Sequence, residues 1–233
     1  MKLAFGLTLL VLILIYYMAN DNRTQEYILG NSKLCVPVNR LLEPGIFSWL
    51  YIGSTLKSED RKTISVEFSA EELSDEIDGY VASEKKIINN IGVLITYLSE
   101  NEIIRTMRNS TFSQLWLGKG PYKNRVYEYD EGFGLYKVYG VEKSNSWSFF
   151  SREPSPEIEV PENVFDYLVA SCYYSHRKFD DGYRLMPCMS DFVMDNLRVR
   201  VNYSGVNTQY LGDIKEFIRK KINYWKLCDR KNT

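Results

Sequence analysis

An uncharged run of seventeen residues at the amino terminus constrains this chain more than any other feature. The run, Leu3–Ala19, is apolar apart from a glycine, a threonine and two tyrosines. As a helix it would be about 25 Å long, against roughly 30 Å of hydrocarbon in a bilayer. Such a run is typical of a cleaved signal peptide or of an uncleaved signal anchor. Because Tyr17 would stand where a cut after Ala19 needs a small residue, we predict a membrane anchor over residues 1–19.

The charges on either side of this run orient the chain. Lys2 precedes it, whereas Asp21 and Arg23 cancel each other directly after it. Because a positively charged flank stays in the cytoplasm, we expect the chain from about residue 20 onward to be exported. Residues 20–30 are mostly polar and are interpreted as a tether between the membrane and the folded domain.

Four cysteines, all on the side expected to be exported, favour disulfide bonds. Their spacings of 137, 16 and 40 residues lack the close pairs of structural zinc sites, so we predict no metal. Three pairings are possible. We favour Cys172–Cys188, which flanks a turn signal at Asp180-Asp181-Gly182, and Cys35–Cys228, which would join the start of the domain to its end.

Residue patterns after the tether predict an α+β domain in which helices pack on an antiparallel sheet. Lys33–Val38 is strand-like, and Thr63–Phe68 alternates apolar and polar residues as a half-buried strand does. Ser69 stands three residues before Glu72, the spacing of a capping box in front of a helix. A second helix is predicted over Glu84–Leu98.

The carboxyl-terminal part carries the clearest pattern. Phe165–Tyr174 and Leu197–Tyr203 are predicted strands. The segment that follows has apolar residues three and four apart, which predicts a helix with one face on the sheet. These residues are Leu211, Ile214, Ile218, Ile222 and Trp225.

Three prolines between residues 154 and 161 divide the exported part into two predicted units. The first is an α+β half over residues 31–153, and the second is a ββα half over residues 154–233. Ile64–Ser69 and Val199–Ser204 share a pattern at an offset of 135 residues, and each precedes a predicted helix. An alternative interpretation is therefore that the two halves are related by duplication.

Composition and motifs argue against most catalytic functions. The 29 basic and 30 acidic residues balance, so no surface for nucleic acid is indicated. The sequence contains no nucleophile motif that its single histidine, His176, could activate as a general base. Glu128, Asp130 and Glu131 lie among aromatic residues, as in sugar-cleaving sites, so an envelope enzyme acting on glycans is one alternative. We expect a binding protein without enzymatic activity and without a cofactor.

The aromatic segment over residues 116–150 is the first candidate for a protein-binding surface. It is predicted to form short strands joined by glycine turns, and tyrosines supply large contact areas with few rotatable bonds. The candidate residues are Tyr127, Tyr129, Phe133, Tyr136 and Tyr139. An acidic stretch is the second candidate, because it would attract a basic partner. Its members are Glu71, Glu72, Asp75 and Asp78.

One combination of motifs resembles a known family. Leu34-Cys35-Val36-Pro37 opens the domain, Cys172 and Cys188 follow, and Leu197–Tyr203 precedes a helix ending in Trp225. This pattern, over most of residues 34–228, resembles the membrane-tethered periplasmic immunity proteins of Gram-negative type VI secretion loci. The resemblance implies a periplasmic domain, held at the inner membrane by a single span, that neutralises a secreted toxin by occlusion. Lipoprotein members carry a lipobox cysteine that this chain lacks, so the anchor helix would replace the lipid. A structural subunit of an envelope or secretion complex is a further alternative.

Overall fold

Residues 24–42, 62–108, 110–142, 144–155, 157, 161–176 and 179–227 are described by the computed structural model of the protein. Twelve strands and four α-helices lie within this part of the chain. The strands are β1 (Thr24–Leu29), β2 (Ser32–Pro37), β3 (Thr63–Phe68), β4 (Ser83–Glu84), β5 (Ile87–Ile88), β6 (Ile91–Tyr97), β7 (Val126–Asp130), β8 (Leu135–Tyr139), β9 (Ser146–Phe150), β10 (Leu168–Tyr173), β11 (Pro187–Met194) and β12 (Leu197–Ser204). The helices are α1 (Ala70–Glu76), α2 (Glu100–Met107), α3 (Ser110–Leu117) and α4 (Leu211–Trp225).

Eight of the strands form one sheet in the order β3-β6-β12-β11-β10-β9-β8-β7, and every neighbouring pair is antiparallel. The predicted α+β class with an antiparallel sheet is therefore confirmed. Strand β3 forms one edge, where an isolated bridge joins Leu41 to Val66. Strand β7 forms the other edge.

The main core lies between one face of the sheet and helix α4. Val66, Val93 and Val201 are paired across β3, β6 and β12, and all three are buried. The five predicted apolar residues of α4 are buried as expected, and Phe217 joins them. The ring of Phe68 lies 5.2 Å from that of Phe217 and 5.9 Å from that of Trp225. Burying each such side chain contributes about 1.5–3 kcal/mol, so this core is the main source of stability.

A smaller core lies on the opposite face, under α3. Trp116 is fully buried there, with its ring 5.6 Å from that of Phe150 and 4.8 Å from that of Tyr167. The aromatic strands predicted over residues 116–150 are confirmed as β7, β8 and β9, but Trp116 belongs to a helix. The preceding helix α2 begins at a capping box of Ser99 and Glu102, a sequence signal that could have revealed it.

The helix predicted over Glu84–Leu98 is wrong, because this segment forms β4, β5 and β6. Ile91, Val93 and Ile95 alternate with less buried residues and point into the main core. The spacing of isoleucines in the segment also fits a helix, but its β-branched residues favour a strand between two others.

Two other predictions need correction at their boundaries. Residues 24–29 of the predicted tether form strand β1, which pairs with β2 and buries Tyr27 and Leu29. The strand predicted over Phe165–Tyr174 begins only at Leu168, because Val164–Asp166 forms a 3-10 turn capped by Asn163. Helix α1 begins after Ser69, whose hydroxyl accepts a hydrogen bond from the backbone N–H of Glu72.

The sheet joins strands from both predicted halves, because β6 pairs with β12 and β9 pairs with β10. The two segments of similar pattern lie on either side of β6. Ile64 and Val199 both pair with Ile95. The two segments therefore occupy equivalent positions beside one strand.

The disulfide between Cys172 and Cys188 is confirmed, and it joins β10 to β11. Cys35 is also disulfide-bonded. Its predicted partner, Cys228, lies outside the described residues, as does the membrane anchor predicted over residues 1–19. Within the described ranges, no helix has the length and apolar character needed to cross a membrane.

Candidate functional site

The hairpin of β7 and β8 brings the predicted aromatic residues to the edge of the sheet. Four of the five residues of β7 are exposed. Tyr127 and Tyr129 are 37% and 55% exposed, and they lie two positions apart on the same face of the strand. The ring of Tyr129 lies 5.1 Å from that of its paired neighbour Tyr136. These side chains form an aromatic surface that a partner can reach.

The other two predicted aromatic residues face the opposite side of the hairpin. Phe133 packs on Phe149, with 5.3 Å between ring centroids. The hydroxyl of Tyr139 donates a hydrogen bond to Glu128 over 3.0 Å, and burial raises the pKa of this tyrosine. The structure therefore divides the five candidates, and it places Tyr127 and Tyr129 outermost.

The acidic candidates on α1 divide in the same way. Glu72 is held between two cations, because its carboxylate pairs with Arg40 and lies 2.9 Å from the amine of Lys221. Its side chain is only 18% exposed, so its contacts fix α1 against α4. Glu71 and Asp75 on α1 are exposed, as is Asp78, which follows the helix.

Of the three carboxylates considered for glycan cleavage, Glu128 and Asp130 have local partners, and Glu131 is exposed. Glu128 accepts the hydrogen bond from Tyr139, and one oxygen of Asp130 accepts from the backbone N–H groups of Gly132 and Phe133. Asp130 therefore shapes the turn of the hairpin. His176 is exposed. Among the described residues, no group of three or more histidine, cysteine or acidic side chains could hold a metal ion.

A groove that the sequence did not reveal crosses the face of the sheet opposite α4. Its floor is a row of directly paired residues, one from each of five adjacent strands, which we call the floor row. In strand order the row is Val138, Ser148, Ser171, Met189 and Asn202, and the first two are buried. Tyr127 continues the row at the β7 edge, because it pairs with Val138.

The groove is large and free of charge among the described residues. It has a volume of about 920 Å³ and runs between the floor row and α3, which contributes Phe112 and Leu115 to its wall. All twenty lining residues are uncharged, although 25% of the residues in the chain are charged. A second depression of about 280 Å³ shares Pro187, Asn202 and Tyr203 with the groove and extends to Ile88, and its lining includes the charged Glu84.

Small polar residues in the floor row leave room for the groove. Ser148 and Ser171 lie 3.2 Å apart through their hydroxyls, and either can donate to the other. Each alternates with buried apolar neighbours in its own strand. This alternation could have indicated from the sequence that the two serines face away from the main core. It could not have shown that they lie in one row, because that depends on the order of the strands.

Comparisons with known proteins add little to this description. No protein-family model matches the chain, and no curated protein matches it. The chain is similar to the solved structure of an immunity protein of the Stenotrophomonas maltophilia type IV secretion system, at 11% identity and a TM-score of 0.48. The likeness covers 88% of this chain and 93% of the other. At that score it assigns neither a fold family nor a function.

Proposed function

We propose that this chain is an exported protein-binding domain of the immunity type, which neutralises a toxin by covering part of its surface. The observation that carries the proposal is the exposed aromatic edge of the sheet, where Tyr127 and Tyr129 stand side by side on strand β7. Exposed tyrosines on a rigid strand are favourable binding anchors, because they bury much area and lose little side-chain entropy.

The compartment is part of the proposal. The disulfide between Cys172 and Cys188 supports an oxidising environment, since such bonds are rare in the cytosol. The uncharged run at residues 3–19 and the weak positive flank before it support an inner-membrane anchor with the domain in the periplasm. The resemblance described above supports a toxin of a type VI secretion locus as the partner.

Exposed acidic residues on α1 and directly after it are proposed as a secondary contact. Glu71, Asp75 and Asp78 are exposed and would speed association with a basic partner, with an association rate that falls as salt is added. Glu72 is excluded from this role by its ion pairs with Arg40 and Lys221.

Co-expression tests the proposal in cells. The chain is produced together with a candidate toxin, taken from the genes that flank its own, and the toxin is directed to the periplasm. We expect growth to be protected by the natural chain and by the control variant Tyr224→Ala. This control removes from α4 a tyrosine that is 56% exposed, close to the 55% of Tyr129. We expect protection to be lost in the double variant Tyr127→Ala, Tyr129→Ala.

Carboxylate variants separate binding from catalysis. Protection should survive Glu128→Gln and Glu131→Gln, because a covering protein needs no general acid. If a carboxylate variant folds and still binds the toxin but no longer protects, an enzyme acting on glycans would explain the result and the binding proposal would be wrong.

A further inference from the structure

The groove over the floor row has a different chemistry from the aromatic edge. Its twenty described lining residues carry no charge, whereas Asp191 and Arg200 occupy the neighbouring row on the same face of the sheet and pair with each other over 2.9 Å. Charge is therefore present beside the groove and excluded from it. A ligand with a charged group in this groove would lose its hydration and find no countercharge.

We propose that the groove binds an uncharged, extended segment of the partner protein. The inference rests on the proposed function, and it names the kind of segment that the partner must present. Four steps between adjacent strands separate Val138 from Asn202, a span of about 19 Å at roughly 4.8 Å a step. An extended chain covers that distance with about six residues.

The floor supplies hydrogen bonds suited to a peptide backbone. The hydroxyl of Ser171, which is partly exposed, has hydrogen-bonding capacity left after its contact with the buried Ser148. The side chain of Asn202 is exposed and offers both a donor and an acceptor. An extended segment presents N–H and C=O groups in alternation along its length, and the side chains of Ser171 and Asn202 lie along the same row.

The shape of the groove favours a polymer over a small molecule. Small-molecule sites enclose most of the surface of their ligand, whereas this groove continues through Asn202 into the depression that ends at Ile88 and is lined by Glu84. At the other end Tyr127 pairs with Val138, which is buried, so the aromatic edge and the groove are separate surfaces. One protein partner can contact the hairpin and place a segment in the groove.

The test uses the full chain in lipid nanodiscs as bait for a phage library of random twelve-residue peptides. We expect enriched peptides to share a run of about six residues without Asp, Glu, Lys or Arg, because the groove offers no countercharge. Two variants place a charge at the groove, Tyr173→Glu on its 52% exposed rim and Met189→Lys on its floor. The matched control is Ile104→Glu on α2, outside the groove.

We expect the enriched peptides to bind Tyr173→Glu about tenfold or more weakly than the natural chain, and Ile104→Glu equally well. Tyr173→Glu decides the outcome if Met189→Lys does not fold. Failure to enrich peptides, enrichment of charged peptides, or equal binding to Tyr173→Glu would overturn the proposal. One further result would overturn it. If monomeric dodecyl maltoside fully displaces the peptides and Tyr173→Glu still binds them as well as the natural chain does, the peptides occupy an acyl-chain site outside the groove.

The toxin distinguishes this inference from the proposed function. If the natural chain binds the toxin and Tyr173→Glu binds it equally well, the groove is not used and only the inference fails. If the natural chain does not bind the toxin at all, the proposed function fails, and the peptide selection still decides whether the groove binds uncharged segments.

Discussion

Cys172 lies directly opposite Cys188 across strands β10 and β11, with 4.1 Å between their Cα atoms. Both side chains are buried in the main core. The bond closes a loop that contains the exposed segment with His176. It therefore links two neighbouring strands in the middle of the sheet, next to the long loop that connects them.

The first prediction concerns the stability that this bond provides. Cys172→Ala with Cys188→Ala should lower the free energy of unfolding by about 3 kcal/mol, the entropy of closing a loop of this length in the unfolded chain. Urea unfolding of the natural chain and the double variant measures the difference. Peptide mapping without reductant checks the bond itself. Four free thiols in protein purified from the cell envelope would contradict the assignment.

The second prediction is that Glu72 stabilises the fold. Glu72→Gln should lower the free energy of unfolding by roughly 1–2 kcal/mol, because Arg40 and Lys221 lose a half-buried countercharge. The matched control, Asp75→Asn, removes an exposed charge from the same helix and should change stability by less than about 0.5 kcal/mol. Equal effects of the two changes in urea unfolding would show that the ion pairs contribute nothing.

The third prediction concerns the dependence of stability on pH. Burial, with help from the nearby Arg219, lowers the pKa of Lys215 from 10.5 to about 8. Below pH 8 the amine is charged in both states, and the folded state bears the cost of burying it. Between pH 8 and 10.5 the folded state releases the proton first, so the free energy of unfolding rises with pH across this window.

Lys215→Met should therefore stabilise the protein at pH 7 by roughly 1–3 kcal/mol and remove this part of the rise. The difference between the unfolding curves of the variant and the natural chain, measured from pH 7 to 10.5, isolates the effect. Lys220→Met, which removes an exposed amine from the same helix, serves as the control. A difference that does not change with pH would contradict the assignment.

Local patterns predicted the elements whose surroundings are simple. The apolar stripe of α4 and the alternation of β3 are each recorded within one segment, and both were confirmed. Glu84–Leu98 shows the limit of such patterns. The spacing of its isoleucines fits both a helix and a strand. The segment forms a strand because it lies between β3 and β12 in the sheet, and the local sequence does not contain that information.

The candidate site was predictable only in part. Tyr127 and Tyr129 were found by composition, because aromatic residues are concentrated in their segment. Which tyrosines are outermost depended on β7 being the edge strand. Ser148, Ser171 and Asn202 carry no distinctive motif, and they form one floor only because distant strands pair in one register.

The fourth prediction concerns the orientation of the chain in the membrane. Protease added to spheroplasts should degrade most of the chain, because residues from about 20 onward are expected outside the cytoplasm. A cytoplasmic marker protein should stay intact in the same sample. A soluble mature form beginning near residue 20 would contradict the anchor, and a domain protected from protease would contradict export altogether.

The affinity of the purified full chain for a candidate toxin, taken from the genes that flank its own, tests the central claim most directly. Calorimetry should show a stable complex with the natural chain and with Tyr224→Ala. The double variant Tyr127→Ala, Tyr129→Ala should bind about a hundredfold more weakly, as expected when two central tyrosines are removed from an interface. Unchanged affinity in a folded double variant would contradict the claim that the protein acts through the aromatic edge of its sheet.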